Sequence, residues 1–402
     1  MSYRKTANQS MITSVLTLRY DLTQKPILPK ITSHNFHNST PTITQIENIV
    51  EKSLTKIRIK PKKIAIALSG GIDSTLALNF LKKSFPDSKI DAISIKFSDS
   101  VDESKLAAKI AKHFDVDQHV VSVDNYLEEL PKAISIVQMP FWDLHWYYVA
   151  KKAQTIAKYL ATGDGGDELF GGYVFRYKKF LSIVTRNSSP LQKVKAYLQC
   201  HERDSVVDQE DLFGKKSAFS WEKIYNKLLP YFDNSLSLID QVLLADYNGK
   251  LLYNFSLVNK RINENFKLTG ITPLLSKELI SYTVGISSKY KYDKQSDLGK
   301  LLLRKILVKN HLDSLVSNQK LGFSVDTLNL WSSYGRKIFQ YYFSNARIVQ
   351  DGWIDQGWIN KHVQSKNLDV RYVNKFLGIL AFEIWYRLFI TKEIKSYTLL
   401  DF

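Results

Sequence analysis

Apolar positions in the first half of the chain fall into short runs that alternate with helical stripes. Ile64-Ala-Ile-Ala-Leu68 is an unbroken apolar run ending in Ser69-Gly70-Gly71, the pattern of a buried strand closed by a turn. A helical stretch opens at Asp73, and Ile90 to Phe97 alternates as a strand does. Between Asp102 and Phe114, the residues Leu106, Ile110 and Phe114 share one helical face. His119 to Val123 predicts a third strand, Asp143 to Lys158 a long helix, and Tyr159 to Thr162 a fourth strand running into a glycine-rich turn. Ahead of these, Ile46, Ile49, Val50 and Leu54 predict a helix over Thr44 to Leu54. Such alternation predicts an α/β fold, a doubly wound parallel sheet with helices on both faces. Ligands on such sheets bind beyond the carboxyl ends of the strands, where both glycine-rich loops, after Leu68 and after Thr162, fall. Beyond about residue 178 the pattern is mainly helical and aromatic-rich to the C-terminus, with no further strand–turn–helix unit. Residues 1 to about 45, rich in Thr, Ser, Asn and Pro, predict a short strand or two followed by loop.

Composition changes this picture little. The 402 residues are 44% hydrophobic and 24% charged, which suits a globular chain with a sizeable core. The single cysteine, Cys200, excludes a disulfide framework and paired-cysteine metal or redox sites. The apolar stretch from Met11 to Leu18 is short and broken by Thr13, Ser14 and Thr17, a poor signal-peptide core. No run is long enough for a membrane span, so a cytoplasmic protein with no membrane partner is expected. The net charge of +17 could mark a nucleic-acid surface. The lysines, however, are dispersed in pairs such as Lys62-Lys63 and Lys151-Lys152, which argues against a nucleic-acid partner.

The candidate chemistry starts at Ser69-Gly70-Gly71-Ile72-Asp73-Ser74. A Ser-Gly-Gly turn between a strand and a helix exposes backbone N–H groups as an anion site, and Ser69 and Ser74 add hydroxyls. Asp73 beside a polyphosphate requires a cation between them, and Mg²⁺ held by one or two carboxylates plus phosphates meets that need. A bare turn with Asp73 as helix cap is the bland reading. The loop lacks the lysine of a Walker A motif. The full string resembles the pyrophosphate loop of the ATP-pyrophosphatase superfamily, whose members cut ATP between the α and β phosphates and adenylate a substrate.

The second motif is Thr162-Gly-Asp-Gly-Gly-Asp-Glu-Leu-Phe-Gly-Gly-Tyr173. Alone it could be a solvated acidic turn. As a string it is similar to the signature of the asparagine synthetase family. That resemblance implies that Asp167 is the second Mg²⁺ carboxylate opposite Asp73, that Gly163 packs against the nucleotide, and that Asp164 lies near the nucleotide and assists ammonia attack. It further implies that Leu68 and Ile95 flank the adenine, and that Lys320, in Gln-Lys-Leu-Gly-Phe323, contacts the phosphates during adenylation. Lys300-Leu-Leu-Leu-Arg304 is similar to a family helix, but two exposed cations on an amphipathic helix is an equal reading for Lys300 and Arg304.

The resemblance divides the chain into 1–45, similar to the tail and linker of the family's glutaminase domain, and 46–402, the synthetase domain, with a nucleotide part 46–178 and a helical part 179–402. It implies ATP and Mg²⁺ as cofactors, with ammonia taken from solution or from a separate glutaminase partner, because position 2 is Ser2 rather than the family's cysteine nucleophile. The small-molecule carboxylate is, as first choice, the side chain of L-aspartate. Against that choice, Lys260, Thr269, Ile271 and Ser276 stand where the family expects Asp, Glu, Arg and Asp. Another carboxylate or amine, as in β-lactam-forming or peptide-cyclising relatives, remains open, and RNA modification is a third reading suggested only by charge.

Overall fold

The computed structural model describes residues 6–37, 39–57, 60–98, 100, 102–317, 325–365 and 368–401. Its centre is a five-stranded parallel sheet ordered β3-β2-β1-β4-β5. The strands are β1 Lys63–Ala67, β2 Lys89–Phe97, β3 Asp117–Val123, β4 Tyr159–Ala161 and β5 Thr269–Ile271. The helices nearest the sheet and its loops are α1 Gln9–Leu18, α2 Ile43–Thr55, α3 Ile72–Ser84, α4 Ser104–His113, α5 Leu130–Val137, α6 His145–Ala153, α7 Gly166–Phe170 and α8 Val174–Ile183.

Alternation along β1 sends its side chains into two different cores. Ile64, Ile66 and Leu68 pack with Leu76 and Phe80 of α3, Ile46 and Val50 of α2, and Ile110 of α4. Ala65 and Ala67 pack on the other face with Ile134 of α5, Val149 of α6 and Phe376 of the long helix Val370–Phe389. A central parallel strand buried on both faces is therefore apolar throughout, which explains the unbroken run at 64–68. The expected doubly wound α/β architecture is present, and the chain after residue 178 is mainly helical.

Three details depart from the sequence reading. The N-terminal segment forms no strand among the described residues; Met11, Ile12, Val15 and Leu16 lie buried along α1. Asn8 caps α1 by accepting from Met11 N–H, and the Thr13 hydroxyl turns back to the Gln9 carbonyl at 2.7 Å. The Thr13 hydroxyl is thus absorbed by the helix itself, while those of Ser14 and Thr17 accept from Lys227 and Gln209. The helix expected from Asp143 to Lys158 runs only over α6. The helical portion also donates a strand: β5 pairs with β4 through Ala161 opposite Ile271. Thr-Gly-Ile is too short to carry a period, so tertiary pairing alone makes it a strand. No helix among the described residues is long and apolar enough to cross a membrane.

Candidate functional site

Strands β1 and β4 are neighbours, with Ile66 opposite Ala161, so the loops leaving their carboxyl ends emerge side by side. The glycines let these loops touch. A β-carbon on Gly163 would lie 2.6 Å from the Asp73 carbonyl carbon and 2.7 Å from Ser74 N. One on Gly166 would lie 2.2 Å from Asp73 Cγ, and one on Gly172 would lie 1.8 Å from Asp167 Oδ1 and 2.4 Å from Lys300 Cε. Real side chains tolerate none of these distances. The interleaved glycines thus seat two carboxylates against backbone, and Gly165, at φ +95°, turns the chain into α7.

What the two carboxylates meet is Lys300. Its Nζ lies 2.6 Å from Asp73 Oδ2 and 2.6 Å from Asp167 Oδ1, and its side chain is only 13% exposed. The residue adopts a left-handed backbone, φ 56°, ahead of the helix Leu301–Lys309, and its N–H reaches the Phe170 carbonyl at 3.2 Å. Burial works against its charge, but Asp73 and Asp167 outweigh it and hold the ammonium well above the usual lysine range. The exposed-helix reading therefore fails for Lys300. Arg304 instead turns its Nε to the Gly299 carbonyl at 3.0 Å. The loop 69–74 is loosely tied: Ser69 N–H and Gly71 N–H reach the Ser74 and Ser69 hydroxyls only at 3.4 Å. Such weak internal bonds suit amides that can turn to an anion.

Asp164 is partly buried beside this pair. Its Oδ2 accepts from Asn259 Nδ2 at 2.6 Å, and its N–H reaches Thr162 Oγ1 at 3.3 Å. Burial raises its pKa, while bonds to Thr162 and Asn259 oppose the rise without cancelling it. Glu168 accepts from Tyr173 Oη at 2.6 Å. Arg176 lies 4.5 Å over the Tyr173 ring and pairs with Asp246.

These groups open into a cleft of about 780 Å³. Ser69, Asp73, Ser74, Gly163, Asp164 and Asp167 line it, and Arg19, Asp143, His145, Lys250 and Asn259 line it too. Leu68 and Ile95 are buried, and their side chains enter opposite faces of the sheet. Gly70, φ +81°, approaches Leu106, and Gly71 caps α3. Gly163 meets the Asp73–Ser74 backbone. Lys320 lies outside the described residues. Of the 259–276 stretch, Asn259 reaches the cleft, whereas Thr269 and Ile271 belong to β5 and Ser276 caps the helix Lys277–Val284. Lys260 pairs with Glu264, and Arg261 binds Gln24 Oε1 at 2.8 Å. Sequence reasoning missed Arg19, Asp143, Lys250 and Asn259, which no motif marks. Lys300 was visible only as one lysine of a helix.

Residues 45–387 match the asparagine synthase family. The chain belongs to that family. It is 25% identical to asparagine synthetase [glutamine-hydrolyzing] 1 of Bacillus subtilis over 362 residues, 81% of this chain and 56% of that protein. It is 26% identical over 210 residues to a putative asparagine synthetase of Mycobacterium tuberculosis, covering 47% of this chain and 31% of that one. The chain thus spans about half the length, or less, of these family members. Among solved structures, an NH3-dependent NAD synthetase from Campylobacter jejuni shares 16% identity over 57% of this chain and 96% of that one, at a TM-score of 0.25. An overlay that loose bears no weight here.

Proposed function

We propose that this family member is an ATP-dependent amide-forming ligase: it adenylates a carboxylate, releases pyrophosphate, and passes the acyl group to ammonia. The observation that carries this reading is the convergence of Asp73 and Asp167, from two glycine-rich loops at adjacent strand ends, on one buried cation. A carboxylate oxygen of the acceptor attacks the α-phosphorus of ATP, and the α–β bridging bond breaks with departure of pyrophosphate. The loop amides of Ser69, Gly70 and Gly71 with the Ser74 hydroxyl hold the phosphates, Lys300 supplies fixed positive charge beside them, and Lys320 is assigned to the leaving group. Gly163 is assigned to the nucleotide's approach; Leu68 and Ile95, whose side chains are buried in opposite cores, would meet the base only through their backbone.

The donor set fits Mg²⁺, because two hard carboxylates that share one ammonium are close enough to share a hard ion with phosphate oxygens. When bound, Mg²⁺ would neutralise charge on the phosphates, with Asp73 and Asp167 holding it. Ammonia nitrogen then attacks the acyl carbon, AMP leaves, and Asp164 takes the surplus proton. Ammonia is the nitrogen donor in this reading, taken from solution or supplied by a glutaminase.

The test incubates the chain with Mg²⁺-ATP, ammonium and single acids, L-aspartate first, and follows AMP, pyrophosphate and amide together. Stoichiometric asparagine and AMP with aspartate are expected. Turnover only with another acid would move the protein toward a relative with a different acceptor, and release of ADP and orthophosphate would sink the reading.

Asp164 also gives a pH prediction. Its raised pKa should place the acidic limb of the kcat profile above the usual carboxylate value of about 3.9. The Asn259 bond favours the ionised form, so Asn259→Leu should move that limb to higher pH. A limb that stays in place in the variant would remove Asp164 from the proton step.

A further inference from the structure

The acceptor's own charges need partners in the cleft, and the 259–276 stretch supplies almost none. Another part of the cleft lining, around Arg19 and Lys250, does. There Tyr247–Phe255 runs as a π-helix between the helices Leu238–Asp246 and Ser256–Asn265. Wide π turns are uncommon and cluster where a chain must present a particular side chain. Through this segment the residues from Tyr247 to Asn254 are buried except Lys250, which lines the cleft. Its Nζ lies 4.9 Å over the Phe255 ring. Among the described residues it makes no hydrogen bond and no ion pair.

The segment is fixed against an unusual neighbour. Asn254 Nδ2 donates to the carbonyl of Arg19 at 2.7 Å, and a β-carbon on Gly249 would lie 2.8 Å from Tyr20 Oη. Arg19, left-handed at φ 66°, ends α1. Its guanidinium lies 4.4 Å over the Trp142 ring and bonds Asp143 at 2.6 Å and Asp204 at 3.3 Å. Both carboxylates are thereby engaged by Arg19. Lys375 Nζ, also buried, donates to the Leu16 carbonyl at 2.6 Å. Burial keeps His145 and His201 neutral, His201 falling to about 3. Arg19, Lys250 and Lys375 thus stand with Asp143 and Asp204. Burial works against the Lys250 ammonium while the two carboxylates favour it, and its head is the one with no hydrogen bond among the described residues. A partly buried net charge is costly; one anionic group on the occupant would balance it.

We infer that Lys250, on a segment tied to the Arg19 carbonyl through Asn254, is a specificity residue that binds a second, free carboxylate of the acceptor, the one that is not adenylated. This rests on the adenylation reading above. It selects acceptors with a free carboxylate at the far end, such as amino dicarboxylates, over monocarboxylates and over side chains within a peptide.

The experiment pairs L-aspartate and L-glutamate with their α-amides in the pyrophosphate assay, for wild type, Lys250→Met and Lys250→Arg. The free acid should be preferred over its amide by ten- to a hundred-fold in kcat/KM, the range of a charge-assisted hydrogen bond. Lys250→Met should erase that preference by raising KM for the acid alone, with KM for ATP unchanged; Lys250→Arg should keep most of it. Equal use of acid and amide by the wild type, or equal losses on both in Lys250→Met, overturns the assignment. If no acid supports pyrophosphate release, the adenylation reading fails for them separately. Calorimetric binding of L-aspartate then decides the subsite: loss in Lys250→Met with retention in Lys250→Arg upholds it, and unchanged or absent binding overturns it.

Discussion

Asp73→Asn and Asp167→Asn should each lower ATP-dependent pyrophosphate release by about a hundred- to a thousand-fold, the scale of losing one preorganised electrostatic contact at a reacting centre. The two carboxylates come from different loops and meet at Lys300 Nζ, each at 2.6 Å. Asparagine keeps the volume that Gly166 and Gly172 leave for these side chains, so the fold should survive. It removes the charge that would hold a metal among phosphates and leaves Lys300 paired with one acid. Quenched-flow measurement of pyrophosphate, beside a thermal melt for integrity, checks this. Either variant folding normally and turning over within tenfold of wild type would remove that carboxylate from the phosphate machinery.

How much of this site could be read from sequence depends on whether a residue's role is local. The loop 69–74 and the string 162–173 were legible because glycine spacing is itself the geometry: Gly163, Gly166 and Gly172 occupy contacts that any β-carbon would spoil. Strand β1 was legible because burial on both faces leaves an unbroken apolar run, and β2 because its residues alternate. The rest arises from contacts distant in the chain. Lys300 meets Asp73 across 227 positions, and nothing in Lys-Leu-Leu-Leu-Arg distinguishes a buried bridging lysine from an exposed one. Asn259 reaches Asp164 across 95 positions. Arg19 belongs to a segment whose composition suggested a short strand or two followed by loop, yet whose Met11, Ile12, Val15 and Leu16 join a core with the long C-terminal helix. Strand β5 exists only because β4 offers it an edge.

Lys300→Met should make the opposite case to the aspartate variants, because it removes the shared cation and keeps both acids. In the wild type, burial disfavours the ammonium and the two carboxylates more than compensate. Without it, Asp73 and Asp167 confront each other as like charges in one site, and one of them must take a raised pKa. A carboxylate whose folded pKa lies above its unfolded value weakens the fold once pH rises through the unfolded value, so the variant should lose stability at neutral pH and regain it toward about pH 4. A divalent cation can occupy the vacated charge position. Mg²⁺ without nucleotide should therefore raise the melting temperature of Lys300→Met by several degrees and that of the wild type by much less. Turnover should still fall by about a hundred-fold or more, since the fixed positive charge beside the phosphates is gone. Melts across pH with and without Mg²⁺, together with pyrophosphate release, separate the two roles. A variant that is as stable as wild type at neutral pH, indifferent to Mg²⁺ and fully active would show that Lys300 holds no charge the site depends on.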